Sequence, residues 1–369
     1  MPTCLKTLFS AIIKNKSRGL ILILFFLFTA LSPFNITEIN EKKVFAEEII
    51  IPILTYHNFT QGEGESYKIN IQDFEEQLDY LARNNYTVIS LSQLLEGLKT
   101  RQLPAKPVVL TIDDGYKATY TLAFPILKKY NFPVTLFLYT DFIEKNPYTL
   151  TWEEIREMTK NNLEIGSHTL SHSNLLRHKE NESYDRYISR IKKEIFLSKE
   201  ILETKTESLV KFFAYPYGIY SPTIKDLAIQ AGYEGIVNAN GMNNTLGNLD
   251  LWSLDRQIIY GNNSFTSFIE VLNQEPLPTS KIFPPDGAVL SDQHVKIGAI
   301  LEDSSNIEEK SLSMKLGGAK VKHHFSPENR EISYTPLQPL IKKSYIVSIN
   351  ALGKTGSNAK KTSWLITIN

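Results

Sequence analysis

Between residues 50 and 272 short apolar runs alternate, seven or so times, with segments of helical periodicity, and this alternation leaves few folds open. The runs at 108–112 (VVLTI), 133–139 (PVTLFLY), 163–165, 211–214 and 235–237 are too short for helices and rich in β-branched and aromatic residues, as strands buried on both faces are. Residues 48–56 (EIIIPILTY) read as one further strand ending at His57, and 88–91 as another. Between them, 73–83 repeats apolar residues at helical spacing, and Ser92 can cap a helix to about Lys99. Residues 119–130 read as a helix that Pro125 kinks or opens. Thr151 to Glu154 has the form of a capping box, 184–204 is long and amphipathic, and Ser221-Pro222 opens a helix to Ala231. Strands joined to helices by short connections must run parallel, with helical crossovers. Closed, that pattern is a (β/α) barrel whose reactive groups sit at the C-terminal strand ends; left open, it is a doubly wound sheet.

Three strand ends carry unusual polar groups. The 108–112 run stops at Asp113, Asp114 and Gly115. Consecutive strand residues face opposite ways, so both carboxylates can serve one site only if the chain turns there, which Gly115 permits. The tripeptide is equally at home as plain turn chemistry. His168 and His172 follow the 163–165 run, four residues apart in a glycine-led loop (GSHTLSH). At that spacing two imidazoles lie on one side of a helical turn and can share a cation; with a strand-end carboxylate they would make an open three-ligand site. The 212–218 stretch (FFAYPYG) breaks at Pro216 and Gly218.

These residues resemble the polysaccharide deacetylase family, the metal-dependent carbohydrate esterases with a NodB-like domain. The first family motif is matched at Thr111 to Gly115, the second (H-[ST]-x-x-H) at His168 to His172, and the third at Pro216, Tyr217 and Gly218. Tyr56-His57 and the Ala214-Tyr215-Pro216-Tyr217-Gly218 form of the third motif are most similar to the branch that de-N-acetylates poly-N-acetylglucosamine. The resemblance implies a distorted (β/α) barrel over 47–274 and a divalent metal, zinc first with cobalt or nickel as alternatives, on Asp114, His168 and His172. It implies Asp113 as general base and the Tyr217 backbone N–H at the oxyanion, with Tyr215 and Tyr217 against substrate. Two departures stand out: the late histidine that gives the amine its proton elsewhere in the family is absent, and Ala214 replaces the usual arginine of the third motif. The branch suggests His57 as the acid, titrating near neutrality, and Arg256 as the residue that orients Asp113.

Lys6, Lys14, Lys16 and Arg18 precede an apolar run, 19–31, and a small-residue site ends at Ala46. The run is shorter than the about 20 residues a spanning helix needs, so 1–46 reads as a secretory signal, or else an uncleaved anchor. Cys4, the one cysteine, would leave with it, and disulfides are excluded. Forty basic and forty acidic residues balance, which gives no reason to expect nucleic acid and suits a neutral sugar polymer. Prolines crowd 275–285, read as a linker, and 286–369 shows short alternating segments expected to form an antiparallel sandwich similar to immunoglobulin-like or fibronectin III-like modules, with Trp364 in its core. The expectation is a secreted or wall-associated enzyme acting on an N-acetylglucosamine polysaccharide, with the cell-wall surface as its other contact and no protein partner. A non-catalytic wall-binding protein on the same scaffold is the alternative; a small-molecule amidohydrolase suits the barrel but not export.

Overall fold

The structure is a computed structural model that describes residues 49–247, 249–354 and 358–369; the expected signal, 1–46, lies outside the described residues. The N-terminal part is built on β1 (Ile53–Tyr56), β2 (Thr87–Ile89), β3 (Pro107–Asp114), β4 (Val134–Leu138), β5 (Leu163–Ser167), β6 (Phe212–Ala214), β7 (Gly235–Val237) and β8 (Gln257–Ile258). They hydrogen-bond in the order β7-β6-β5-β4-β3-β1-β8, with β2 alongside the start of β3, and every pairing is parallel. The helices between them are α1 (Ile71–Arg83), α2 (Leu91–Thr100), α3 (Phe124–Tyr130), α4 (Trp152–Thr159), α5 (Tyr184–Thr206), α6 (Pro222–Gln230) and α7 (Phe265–Leu272). The sheet's two edges meet through irregular chain: the Ile236 N–H donates to Leu251 O and the Asn238 N–H to Leu254 O, Leu254 bridges Val237, and Gln257–Ile258 pairs with Leu54 and Thr55. The expected distorted (β/α) barrel is what forms, with 251–258 as its seam.

Strand periodicity sorts the side chains. Ile53, Val109, Phe137, Phe212, Val237 and Leu254 fill the interior, and Gly166 makes room there, since a Cβ on it would stand 2.4 Å from the Phe137 ring. Leu54, Leu110, Leu136 and Ile165 face the helices, where α5 packs with Tyr187, Ile191, Ile195 and Leu202 at helical spacing. Local details depart from the expectation in three places. Pro52 splits the 48–56 run, so that Ile50–Ile51 pairs instead with Asn244–Thr245. Helix α2 is capped by Ser90 rather than Ser92, in a reciprocal box with Gln93. The 119–130 helix begins as a wide π turn over Thr119–Ala123, and Pro125 falls in the first turn of α3, where its missing N–H costs nothing. The box at Thr151 and Glu154 forms as read.

The C-terminal part has two sheets. The first contains β9 (Glu275–Pro276), β11 (Ala288–Leu290), β13 (Ile307–Leu316), β14 (Ala319–Val321), β17 (Ser344–Gly353) and β18 (Ala359–Ile368); the second contains β10 (Thr279–Phe283), β12 (Ile297–Leu301), β15 (His324–Ser326) and β16 (Glu331–Tyr334). Their own core gathers Ile297, Met314, Ile332, Val347 and the buried Trp364. Two expectations change. The stretch 275–285 supplies β9 and β10 rather than a bare linker, because its prolines sit at strand ends or between strands, where no ladder N–H is needed. The sandwich is not wholly antiparallel: β9 and β11 run parallel to β18. The barrel and the sandwich also share contacts. Leu365 belongs to the barrel core, the Leu365 N–H donates to Asp286 Oδ1 at 2.8 Å, and the hydroxyl of Tyr220 donates to Asp286 Oδ2. Among the described residues no helix is long and apolar enough to cross a membrane.

Candidate active site

Alternation along three strands of the one parallel sheet explains why distant residues meet. His57 follows Ile53 and Thr55, Asp113 follows Val109 and Thr111, and His168 follows Glu164 and Gly166, each two residues apart on the inward face. Asp114 has the wrong parity, but its φ of 79° and that of 106° at Gly115 turn the chain, and both carboxylates line one cavity of about 690 Å³ at the barrel mouth. The turn thus begins on Asp114 itself.

His168 and His172 are not on a helical turn, as their spacing suggested. They lie on an irregular loop in which Thr169 (φ 72°) and His172 (φ 58°) are left-handed, and Ser171 ties that loop to Glu194 of α5 through N–H and hydroxyl bonds of 2.9 and 2.6 Å. The loop nevertheless brings the two Nε2 atoms to 3.1 Å, with Asp114 Oδ1 at 3.5 Å from His172 Nε2 and 3.9 Å from His168 Nε2. Ligands about 2.1 Å from a tetrahedral ion stand about 3.4 Å apart, so this triangle has the right edges for one divalent cation. The donor chemistry fits as well. Asp114 Oδ1 is buried with no hydrogen-bond partner, and His168 Nδ1 donates to Ala214 O at 2.8 Å, which leaves the Nε2 lone pair facing the triangle. These three are the residues among those described that could hold a metal together.

Electrostatics sets the charge on each group. Burial would raise the Asp113 carboxyl, but Arg256 and then His168 outweigh it and hold it at about 2. Arg256 grips it with both terminal nitrogens, at 2.8 and 2.9 Å, while its Nε donates to Asn238 O at 2.8 Å; both side chains are about 2 % exposed. Asp114 is pushed the other way, to about 7, by burial and then by the charge of Asp113. Burial lowers His168 to about 3 and lowers His172, so both rings are neutral ligands at pH 7.

His57 lines the same cavity, with Nδ1 unpartnered and its ring 4.7 Å from that of Tyr67. It does not titrate near neutrality, as the sequence suggested, because burial lowers it to about 4. Tyr217 is 63 % exposed, left-handed (φ 61°), and packs its ring 4.6 Å from His172. Tyr215, expected against substrate, also lines the cavity but is 1 % exposed, with its ring stacked on Tyr220. The sequence reading overlooked Tyr67 and Tyr116, which also line the cavity. Tyr67 stands on a segment whose short strands Asn58–Thr60 and Lys68–Asn70 pair, and which lies so close to Gly261 that a Cβ there would meet Lys68 O at 1.8 Å.

Residues 100–236 match the family model described as Polysaccharide deacetylase. YxkH of Bacillus subtilis, a protein assigned to the polysaccharide deacetylases, is 29% identical over 187 residues, covering 50% of this chain and 62% of the relative. The poly-β-1,6-N-acetyl-D-glucosamine N-deacetylase of Staphylococcus aureus (strain MRSA252) is 29% identical over 187 residues, covering 48% and 64%. The chain therefore spans less than two thirds of these relatives' length. Among solved structures, the Streptococcus pyogenes deacetylase PplD in complex with acetate superposes with a TM-score of 0.53 at 29% identity, over 61% of this chain and 99% of that one. Residues 100–236 are thus similar to the polysaccharide deacetylases, and they lie on a (β/α) barrel.

Proposed function

We propose that this protein is an exported, metal-dependent polysaccharide de-N-acetylase that releases acetate from N-acetylglucosamine units of a cell-wall or extracellular polysaccharide. The observation that carries the reading is the Asp114, His168 and His172 triangle beside an ionised Asp113 clamped by Arg256. The substrate class comes from the relatives, one of which is named for poly-β-1,6-N-acetyl-D-glucosamine. Zinc suits a nitrogen-rich three-ligand set, with cobalt or nickel able to replace it. Bound there, the ion would polarise the acetyl carbonyl and bring the pKa of a coordinated water toward about 7.

The chain's residues do the rest. Asp113 takes the proton of the attacking water as the new C–O bond forms. Arg256 keeps this carboxylate ionised and fixes its plane. The Tyr217 N–H, in the first turn of a short helix where no intrahelical acceptor exists, faces the developing oxyanion. As the C–N bond breaks, the sugar nitrogen must gain a proton. Protonated Asp113 is a stronger acid than protonated His57, so the proton can pass to His57 and on to the more basic amine. The Arg256–Asp113 pair favours catalysis over a dead scaffold, since it offers a substitute for the arginine missing at Ala214. Tyr67 and Tyr217 offer aromatic faces to sugar rings, and the immunoglobulin-like sandwich would meet the wall surface.

Acetate release from soluble N-acetylglucosamine oligomers tests this reading. It should vanish on chelation and return with Zn²⁺ or Co²⁺. A well-folded protein that releases no acetate with any divalent ion would overturn it.

A further inference from the structure

The loop 238–242 leaves β7 at the catalytic end of the barrel and has no strand partner over most of its length. On one side it holds the base's clamp: Asn238 O accepts from Arg256 Nε, and the Gly241 N–H donates to Arg256 O at 3.0 Å. Ala239 lines the cavity and touches Gly218, where an added Cβ would stand 2.7 Å from the Ala239 methyl. The loop is tied to itself by the Asn240 N–H, which donates to Asn238 Oδ1 at 3.0 Å. On its other side lies the last strand of the sandwich. Ser363 Oγ donates to Asn240 O at 2.6 Å, Lys361 Nζ donates to Gly241 O, and the Ser363 N–H points at Met242 Sδ. Two loop carbonyls, Asn240 O and Gly241 O, thus accept from β18, whose nine pairings with β17 make it a stiff support.

We propose that β18 is a brace for catalysis, in which Ser363 and Lys361 are positioning residues that hold Asn238 to Gly241 and through them the Arg256 guanidinium on Asp113. The inference rests on the deacetylase reading. It makes the C-terminal sandwich part of the turnover machinery, whatever surface it also meets. Four hydrogen bonds in series carry it: Ser363 to Asn240, Asn240 to Asn238, Arg256 to Asn238, and Arg256 to Asp113.

The test is Ser363→Ala in the full chain. One net hydrogen bond is worth about two- to tenfold, so kcat should fall by about that factor with KM nearly unchanged. The Nε–H of Arg256, followed by NMR and assigned with Arg256→Lys, should exchange with solvent about fivefold faster or more. In the Arg256→Lys background the same substitution should change kcat less than about twofold, because the two act in one series. Equal losses in both backgrounds would mark a general structural effect and overturn the proposal. Unchanged Nε–H exchange would overturn it too, whether or not the chain turns over substrate. If the unaltered protein released no acetate, the deacetylase reading would fall, and the exchange measurement would still decide the brace.

Discussion

Asp114 makes metal binding a competition with a single proton. In the ion-free protein its carboxyl sits at about 7, while His168 sits at about 3 and His172 lies below its usual value. Because the Asp114 pKa is raised, the proton is on the carboxylate below pH 7 and must leave before a cation can enter. At pH 7 about half the sites are ionised and at pH 5 about one in a hundred, so the apparent dissociation constant should weaken about 50-fold over those two units. Titration calorimetry in two buffers of different ionisation enthalpy counts the protons directly: Asp114 and the coordinated water together should release about one per ion at pH 7, 6 and 5 alike. An exposed His-His-Asp set would behave differently below pH 7, since its imidazoles titrate near 6.5 and its carboxylate near 3.9; with the same water its release would climb to about 1.6 protons at pH 6 and about two near pH 5. Two protons per ion at pH 5, or none at pH 7, would refute the assignment of Asp114 as the titrating ligand.

Asp113→Asn should keep its metal by elemental analysis and lose about 10²- to 10⁴-fold in turnover, the usual weight of a positioned base. His57→Ala should likewise keep metal and fold and lose a comparable factor, while His178→Ala, outside the cavity, should not. Arg256→Ala strips the partner from a carboxylate that is 2 % exposed and should cost about 3–5 kcal/mol in a urea titration, with part recovered when Asp113→Asn is added. Deleting 275–369 should yield an aggregating product in a sedimentation assay, because it uncovers the barrel surface on which Leu365 and Ile346 pack.

The barrel was legible because its strands are buried on both faces and so appear as unbroken apolar runs, each ending at a polar residue that breaks the run. His57, Asp113 and His168 were found by that rule, and their convergence follows from it. The left-handed turns at Asp114, Thr169, His172 and Tyr217 were not legible, since none is a glycine and tertiary contacts impose them. The proton level of His57 was out of reach for a related reason: it depends on burial by tertiary contacts, among them Tyr67 on a segment with too little periodicity to read. The cap at Ser90 was missed although Gln93, three residues on, signals it. In 275–285 the prolines were read as excluding regular structure, whereas they exclude only helix.

The seam at 251–258 has a mechanical meaning. Between β1 and β5 the ring is held by strand ladders of four or five residue pairs; here a handful of backbone bonds around Leu251 and Leu254 carry the closure, and the very next residues are Asp255 and Arg256. The ring is thus thin beside the residue that clamps Asp113. Parting this joint would withdraw Leu254 from the interior and Arg256 from Asp113 together, so the ion pair stands or falls with the closure of the ring.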